Sequence, residues 1–434
     1  MSPVVTGIAG IIVLILLFLL RMPIAFTMAF VGLIGFMYLS GPGAALSLLA
    51  RDIFDQFTSY PLSVIPMFIL MGSYAYASGI SRRLYDTAHT WVGQKRGGLT
   101  IATVLACSGF AAICGSTAAT AATMGKVALP EMKRYHYNDR LATGTVAAAG
   151  TLGILIPPST VFIVYGLLTE ESISKLFVAG ILPGLLLTVL FILTVLFICL
   201  RNPSFGPPGA ASTWSEKFKK LTGFIETAIL FALAIGGLFA GWFSPTQAGA
   251  IGAIGALVIG LARRELSWRG FVEASKDGLS TSCMVIFIIT GAIVFGKFMA
   301  ISRIPFVLVD WIEGLALPPI GIVGVIFLIF FVGGFFMDSM ALIVLLIPII
   351  FPVLAALGID LIWFGVIVVL VAEMGVITPP VGVNVFVIKG IAPDIPIETI
   401  FKGIFPFLGA LIICTIILFI FPQIATFLPR FISY

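Results

Sequence analysis

The chain has 434 residues, of which 60% are hydrophobic and only 10% are charged, and its mean hydropathy is +1.18. Soluble domains carry about 25% charged residues, so this composition excludes a soluble protein and indicates a chain that crosses a membrane repeatedly. The net charge of +5 is modest and is concentrated in a few loops. It fits the positive-inside bias of membrane proteins and argues against a nucleic-acid-binding surface.

Apolar segments long enough to cross a bilayer, about 20 residues each, recur along the whole chain. Eight of them are continuous and cover residues 4–20, 23–40, 61–79, 177–200, 221–243, 246–262, 279–300 and 404–425. Two longer segments, at residues 141–168 and 361–388, each contain an adjacent pair of prolines. We therefore predict an all-α integral membrane protein with about ten transmembrane helices.

Two further apolar segments, residues 98–130 and 316–357, are interrupted in the middle by small or polar residues. Each is compatible with one span, with two spans, or with a re-entrant hairpin that enters and leaves on the same side. The loops around the first segment are rich in Lys and Arg, whereas those around the second are poor in them. Since basic loops stay in the cytoplasm, we predict two re-entrant hairpins, the first entering from the cytoplasm and the second from outside.

The two proline pairs belong to a sequence pattern that occurs twice, once in each half of the chain. The offset in sequence from Pro157 to Pro379 is identical to the offset from Gly153 to Gly375. Adjacent prolines cannot donate to a helix, so each helix must open and leave carbonyl groups free at membrane depth. Open backbone is tolerated there only where it is buried in protein or lines a cavity, so both breaks are candidate binding sites.

The same offset relates the other apolar segments in order, so that each half has five crossings and one hairpin. An odd number of crossings turns the second copy upside down, which is the inverted-repeat plan of secondary transporters. We predict a first repeat at residues 1–200 and a second at residues 221–434. A linker at residues 201–220 joins them and carries a basic amphipathic helix, beginning near Trp214, that lies on the cytoplasmic interface.

Both hairpin tips and both breaks offer oxygen atoms of the kind that bind hard cations, and opened helix ends also offer amide donors to anions. In the first half these residues are Gly115, Ser116, Thr117 and Thr120 at the tip, and Gly150, Gly153, Ile156 and Ser159 at the break. In the second half they are Gly333, Gly334, Asp338 and Ser339 at the tip, and Gly375, Thr378, Gly382 and Asn384 at the break. The alternative is that these small residues only let helices pack closely.

Two carboxylates lie close to the second tip and break. Asp338 within an apolar hairpin is costly, so it should lie near a cation or in a watered cavity, unless it caps the second helix of the hairpin. Glu373 stands just before the second break and is a candidate proton or sodium partner. No enzyme site is expected, because the two histidines, His89 and His136, lie in polar loops without a cluster of partners.

The chain resembles the large membrane subunit of tripartite ATP-independent periplasmic (TRAP) transporters, the DctM-like permeases, over essentially its full length. The resemblance rests on Arg21-Met22-Pro23-Ile24-Ala25-Phe26, on Gly115-Ser116-Thr117-Ala118-Ala119-Thr120, on Gly153-Ile154-Leu155-Ile156-Pro157-Pro158-Ser159 and on Gly375-Val376-Ile377-Thr378-Pro379-Pro380-Val381-Gly382. Each motif is weak alone, but the set in this order is specific. The resemblance implies a bacterial inner-membrane transporter that moves by an elevator mechanism. The charge of the loops predicts that both termini lie in the periplasm.

By resemblance, the coupling ion is Na⁺ and the substrate is an organic acid anion, such as a dicarboxylate or sialic acid, delivered by a periplasmic binding protein. A small four-helix membrane subunit, expected here as a separate chain, is the other partner. One sodium site would lie among Gly115, Ser116, Thr120, Gly150, Gly153 and Ile156, and another among Gly333, Gly334, Gly375 and Thr378. The substrate would contact Ser116, Thr117, Ser159, Asp338, Ser339 and Asn384, between the two tips.

Two other functions remain to be weighed against this one. A self-sufficient sodium/anion symporter would share the architecture, but neither hairpin carries the Ser-Asn-Thr tip motif of such carriers. An anion channel would need a continuous polar stripe or a charged ring, and the sequence shows neither.

Overall fold

The computed structural model describes residues 2–20, 22–313 and 318–432, and within these ranges every regular element is helical. Arg21, the first residue of the motif that ends at Phe26, lies outside the described residues.

The helices of the first half end with a long one that follows the first break. They are α1 (Pro3–Leu19), α2 (Ile24–Ser40), α3 (Pro42–Phe57), α4 (Val64–Ala77), α5 (Ile80–Val92), α6 (Gly98–Cys114), α7 (Thr117–Arg134), α8 (Asp139–Ala149), α9 (Leu152–Leu155), α10 (Thr160–Thr169) and α11 (Ile173–Arg201).

The second half repeats this order of hairpin, broken helix and long helix. Its helices are α12 (Trp214–Lys220), α13 (Thr222–Phe231), α14 (Gly237–Phe239), α15 (Pro245–Ala262), α16 (Trp268–Ser302), α17 (Ile304–Glu313), α18 (Pro319–Gly334), α19 (Ser339–Ala356), α20 (Leu361–Ile377), α21 (Val383–Ile391), α22 (Ile397–Ile420) and α23 (Gln423–Thr426).

The all-α membrane fold predicted from the sequence is confirmed, but its spans are less regular than expected. Among the described residues, six helices are long and apolar enough to cross a membrane, or up to eight if each bent pair is one span. Hydropathy predicts about ten spans because it counts apolar runs without regard to helix length. Several of those runs form helices of only 17 residues, such as α2 and α20. The span predicted at residues 61–79 is the second part of a pair bent by 55°.

Both predicted hairpins have their turns at the interrupting small or polar residues. Helices α6 and α7 meet at Gly115 and Ser116, and Gly115 has φ +67°, a conformation that favours glycine. Helices α18 and α19 are joined by residues 335–338. Ser116 and Asp338, which are related by the same offset as the proline pairs, are the N-caps of α7 and α19 and accept from the N–H groups of Ala119 and Ala341.

Both predicted helix breaks occur at the proline pairs. The first separates α8 and α9 from α10 with a bend of 41° at Pro157 and Pro158, and the second separates α20 from α21 at Pro379 and Pro380. Around the breaks, helices pack through small residues that let backbones touch. A methyl group on Gly144 of α8, for example, would overlap the backbone carbonyl of Gly403 on α22.

The linker between the halves is bound to the first half along most of its length. The Gly97 N–H donates to the Gly206 carbonyl at 2.8 Å, and the Gly209 N–H donates to the Gly93 carbonyl at 2.9 Å. Farther along, the Thr87 hydroxyl of α5 donates to the Lys220 carbonyl at 2.5 Å. Helix α12 also leads directly into α13, and the 26 residues Trp214–Phe239 together are long enough to cross a membrane.

Candidate functional site

A cavity of about 870 Å³ lies between the two hairpin tips and helices α2, α4 and α16. This volume is within the range of small-molecule binding sites. The polar or charged residues that line it are Ser73, Tyr76, Ser116, Thr117, Thr123, Lys126, Thr160, Thr281, Asp338, Ser339, Glu373 and Asn384. Most of the remaining wall is apolar, so these few groups decide which solute is held and in which orientation.

The first tip is pressed against the first break by direct backbone contact. The Gly115 carbonyl accepts from the Thr160 hydroxyl at 2.9 Å and from the Thr160 N–H at 3.3 Å. A methyl group on Gly153 would lie 2.5 Å from the Ser116 carbonyl oxygen and 2.6 Å from the Thr120 hydroxyl. The sequence-predicted residues Gly115, Ser116, Thr120 and Gly153 are therefore brought together.

The second tip meets the second break through a glycine pair. A methyl group on Gly375 would overlap the Cα atom of Gly334, so the two backbones are in contact there. Asp338 caps α19, as one of its two predicted roles required, because its Oδ1 atom accepts from the Ala341 N–H at 3.1 Å. It also lines the cavity, so the two roles are compatible.

Glu373 connects the two tips to each other. The Thr117 hydroxyl of the first tip donates to its Oε2 atom at 3.0 Å, and the Ser339 hydroxyl of the second tip donates to its Oε1 atom at 2.6 Å. All three side chains are buried, and Glu373 is only 2% exposed. A buried carboxylate requires such donors, because leaving it unpaired is costly. The two halves of the chain thus share one acceptor at the floor of the cavity.

Comparison with known proteins identifies the family. The chain matches, over residues 11–424, the family model of the tripartite ATP-independent periplasmic transporter, DctM component. The chain belongs to the DctM family of TRAP transporters.

Individual members of the DctM family support this assignment. The chain is 36% identical to the C4-dicarboxylate TRAP transporter large permease protein DctM of Pseudomonas aeruginosa, with 89% of this chain and 90% of that protein covered. It is 32% identical to the sialic acid TRAP transporter large permease protein SiaM of Vibrio cholerae, with 95% and 96% covered.

The fold of this DctM-family chain also resembles that of a solved structure, the YdaH transporter of Alcanivorax borkumensis. The TM-score is 0.67 at 18% sequence identity, with 88% of this chain and 89% of the other covered. At this identity the likeness concerns the fold alone, which is that of a helical transporter.

Five of the six predicted substrate residues of this DctM-family permease line the cavity, and one does not. Ser116, Thr117, Asp338, Ser339 and Asn384 all line the cavity. Ser159 is not among the described lining residues: it is fully buried and caps α10, where its hydroxyl accepts from the Phe162 N–H at 3.2 Å.

The remaining predicted sodium residues, three at the breaks and Gly333 at the second tip, have other neighbours. The position of a Gly150 methyl is 2.7 Å from the Ala121 Cβ atom, and that of a Gly333 methyl is 2.5 Å from the Leu342 side chain. Ile156 packs its side chain against Gly184 of α11. The Thr378 hydroxyl donates to the Met374 carbonyl of its own helix at 2.5 Å.

Sequence reasoning missed the roles of two residues that line the cavity. The sequence presents Glu373 only as a carboxylate near the break, and nothing local indicates that it accepts from both tips. Lys126 had a signal that could have found it: it follows Ala119, Ala122 and Thr123 at helical spacing, and all four line the cavity on one face of α7.

Proposed function

We propose that this permease imports an organic acid anion together with Na⁺ across a bacterial inner membrane. Its partners in this proposal are a small four-helix membrane subunit and a periplasmic substrate-binding protein. The observation that carries the proposal is the shared cavity, which residues of both tips line and which Glu373 bridges. The names of the relatives, a C4-dicarboxylate permease and a sialic acid permease, support an organic acid as the substrate.

The preference for an anion is supported by the direction of the two tip helices. Helices α7 and α19 both begin at the cavity, at Ser116 and Asp338, and the first turns of a helix carry free N–H groups and a partial positive charge. An anionic substrate in the cavity meets the positive end of α7, whereas the positive end of α19 is already capped by the side chain of Asp338.

Sodium coupling is supported by the oxygen atoms at each tip and break. At the first, the Ser116 carbonyl and the Thr120 hydroxyl converge on Gly153. At the second, Asp338 adds a carboxylate near the Gly334 and Gly375 contact. In the proposal, Na⁺ held at each tip orders that tip, so that the anion binds well only when sodium is present.

An elevator movement and the division into repeats belong to the same proposal. The hairpins and broken helices form one wall of the cavity, and α2, α4 and α16 form the other. Sliding the first group against the second would carry the cavity across the membrane. The proposed units are residues 1–200, 201–220 and 221–434, with both termini in the periplasm, which cysteine labelling at each terminus would test.

The decisive experiment is uptake of radiolabelled succinate and N-acetylneuraminate into proteoliposomes that hold the permease and its small subunit. Each acid is tested with and without an inward sodium gradient, and with and without the cognate binding protein. Uptake that needs both the gradient and the binding protein is the expected result.

The other outcomes identify the competing functions. Uptake with sodium alone would overturn the requirement for a binding protein and favour a self-sufficient symporter. Sodium-independent flux that follows the anion's own gradient would overturn coupling altogether and favour a channel.

A further inference from the structure

The described lining of the cavity includes one cationic side chain. Among the described residues that line it, only Lys126 carries a positive charge, whereas Asp338 and Glu373 carry carboxyl groups. Lys126 is exposed to the cavity on α7, two and a half turns after Thr117. We infer that Lys126 binds the anionic group of the substrate and is the residue that selects an organic anion. This inference rests on the proposed function and assigns a residue to its substrate.

Lys126 differs from Lys133 and Lys297 in having no partner within the described part of the chain. Within the described part of the chain it forms no ion pair and no hydrogen bond. By contrast, Lys133, two turns later on the same helix, pairs with Asp394 at 2.5 Å, and Lys297 pairs with Asp52. An unpaired ammonium group in a mostly apolar cavity of a membrane protein is costly, so it is expected to serve a ligand.

The position of Lys126 also separates the substrate from the acidic groups. The helical stretch from Thr117 to Lys126 corresponds to a rise of about 14 Å, so Lys126 lies well along α7 from the tip where Glu373 and Asp338 are found. A carboxylate bound at Lys126 therefore avoids the protein's own carboxylates, while the rest of the molecule extends toward Thr117 and Ser339.

A neighbouring amide supplies a second polar group in the same cavity. Asn384, on the first turn of α21, lines the cavity and is fully buried, and its Oδ1 atom lacks a partner among the described residues. Helix α21 packs directly on α7, because a methyl group on Gly125 would lie 2.9 Å from the Ile391 side chain. Asn384 thus presents an acceptor for a hydroxyl or amide group of the anion that Lys126 holds.

The test compares Lys126→Gln, Lys126→Arg and the matched control Lys133→Gln in the reconstituted transporter with its small subunit and binding protein. Initial uptake of succinate and N-acetylneuraminate is measured at saturating sodium over a range of acid concentrations. For the acid that the wild type transports, Lys126→Gln should raise the half-saturating concentration about tenfold or more, with unchanged sodium dependence. Lys126→Arg should restore most of the affinity, and Lys133→Gln should match the wild type.

Wild-type half-saturation in Lys126→Gln would overturn the inference and leave the proposed function standing. Uptake of neither acid by the wild type, with sodium and binding protein present, would instead overturn the proposed function together with this inference.

A second measurement covers the case in which Lys126→Gln does not fold. Lys126→Cys is made in a background where Cys283, the exposed cysteine, is Ser, and its alkylation rate is measured in proteoliposomes. The transported acid should slow alkylation severalfold, whereas an unchanged rate at saturating acid and sodium would overturn the inference.

Discussion

The two tips occupy equivalent positions in the two halves, yet they contact their breaks in different ways. In the first half, the Gly115 carbonyl and Thr160 hold the tip to the break by hydrogen bonds, and residues 151–160 are all buried. In the second half, the contact is between Gly334 and Gly375, and both prolines of the break are exposed. The first break is therefore enclosed by protein, whereas the second is open at its two prolines.

The two tips also differ in charge and in the hydrogen bonds that they form. Ser116 and Asp338 hold equivalent places in the two repeats and both cap a helix, but only the second carries a charge. Thr151 and Glu373 are related by the same offset in sequence. Thr151 donates only to the Ala148 carbonyl of its own chain segment, whereas Glu373 joins the two tips. The second half thus contributes the two carboxyl groups, of Asp338 and Glu373, found among the described residues that line the cavity.

The largest expected effects come from filling the contacts between each tip and its break. Gly153→Ala would place a methyl group 2.5 Å from the Ser116 carbonyl oxygen, in a segment that is buried and cannot shift. We expect a loss of about 1–3 kcal/mol or more in the free energy of unfolding, together with loss of uptake. Thermal unfolding and uptake measurements check this.

Two further glycine variants show whether the rigidity differs between the halves. Gly375→Ala should be at least as damaging as Gly153→Ala, because its methyl group would meet only backbone atoms, those of Gly334 and the Phe331 carbonyl. Gly324→Ala, which meets no atom within 4 Å, should behave like the wild type. Milder damage in Gly375→Ala than in Gly153→Ala would show that the backbone at the second contact can shift.

The next largest effect is expected from removing Glu373, and it is compared with removing Thr151, its counterpart in the first half. Glu373→Ala would leave the Thr117 and Ser339 hydroxyls without an acceptor, at a cost of about 1–3 kcal/mol each, and uptake should be lost. Thr151→Ala removes one local hydrogen bond and should cost about 1 kcal/mol or less. Uptake and melting temperature are measured for both, and equal effects would rule out the bridging role.

The charge at the second tip can be removed while its cap is kept. Asn caps helices as well as Asp does, so Asp338→Asn should unfold like the wild type. Its half-saturating sodium concentration should rise about tenfold, since a contact with a charged group contributes about 1.5–3 kcal/mol. Ser116→Ala and Thr378→Ala should raise that concentration less, by about twofold to threefold. A normal sodium dependence in Asp338→Asn would exclude Asp338 as a sodium ligand.

The smallest effect is expected from removing the surface ion pair between Lys133 and Asp394, which joins the two halves. The hydrogen bond from Lys133 lowers the pKa of Asp394, in the loop after α21, below its ordinary value. A lowered carboxyl pKa contributes stability above the unfolded-state pKa of about 3.9, and this is lost as the pH falls through the folded-state value. Because the pair is largely exposed, Lys133→Gln should leave the melting temperature at pH 7 unchanged. A clear fall in melting temperature at pH 7 that disappears at pH 3 would show that the ion pair contributes measurably to stability.

The sequence predicted the hairpins and breaks well because their causes are local. A proline pair opens a helix whatever surrounds it, and Gly115 in the left-handed region ends α6 for reasons contained within a few residues. Contacts between distant residues were not predictable in this way. Thr117 and Glu373, which share a hydrogen bond, lie in different halves of the chain. Asp52, which pairs with Lys297, lies on α3, a helix that hydropathy alone did not indicate. Partners of this kind are set by the packing of the whole chain.

The bound linker limits how far its two anchors can separate. Gly209 is hydrogen-bonded to the turn that precedes the first hairpin, and Thr213 caps the start of α12, which is held by α5. Between Gly209 and Thr213 there are four Cα steps, which reach at most about 14 Å when fully extended. This short tether acts as a mechanical stop. Any displacement of the hairpin beyond that reach must either carry α5 and α12 along or break one of the two attachments.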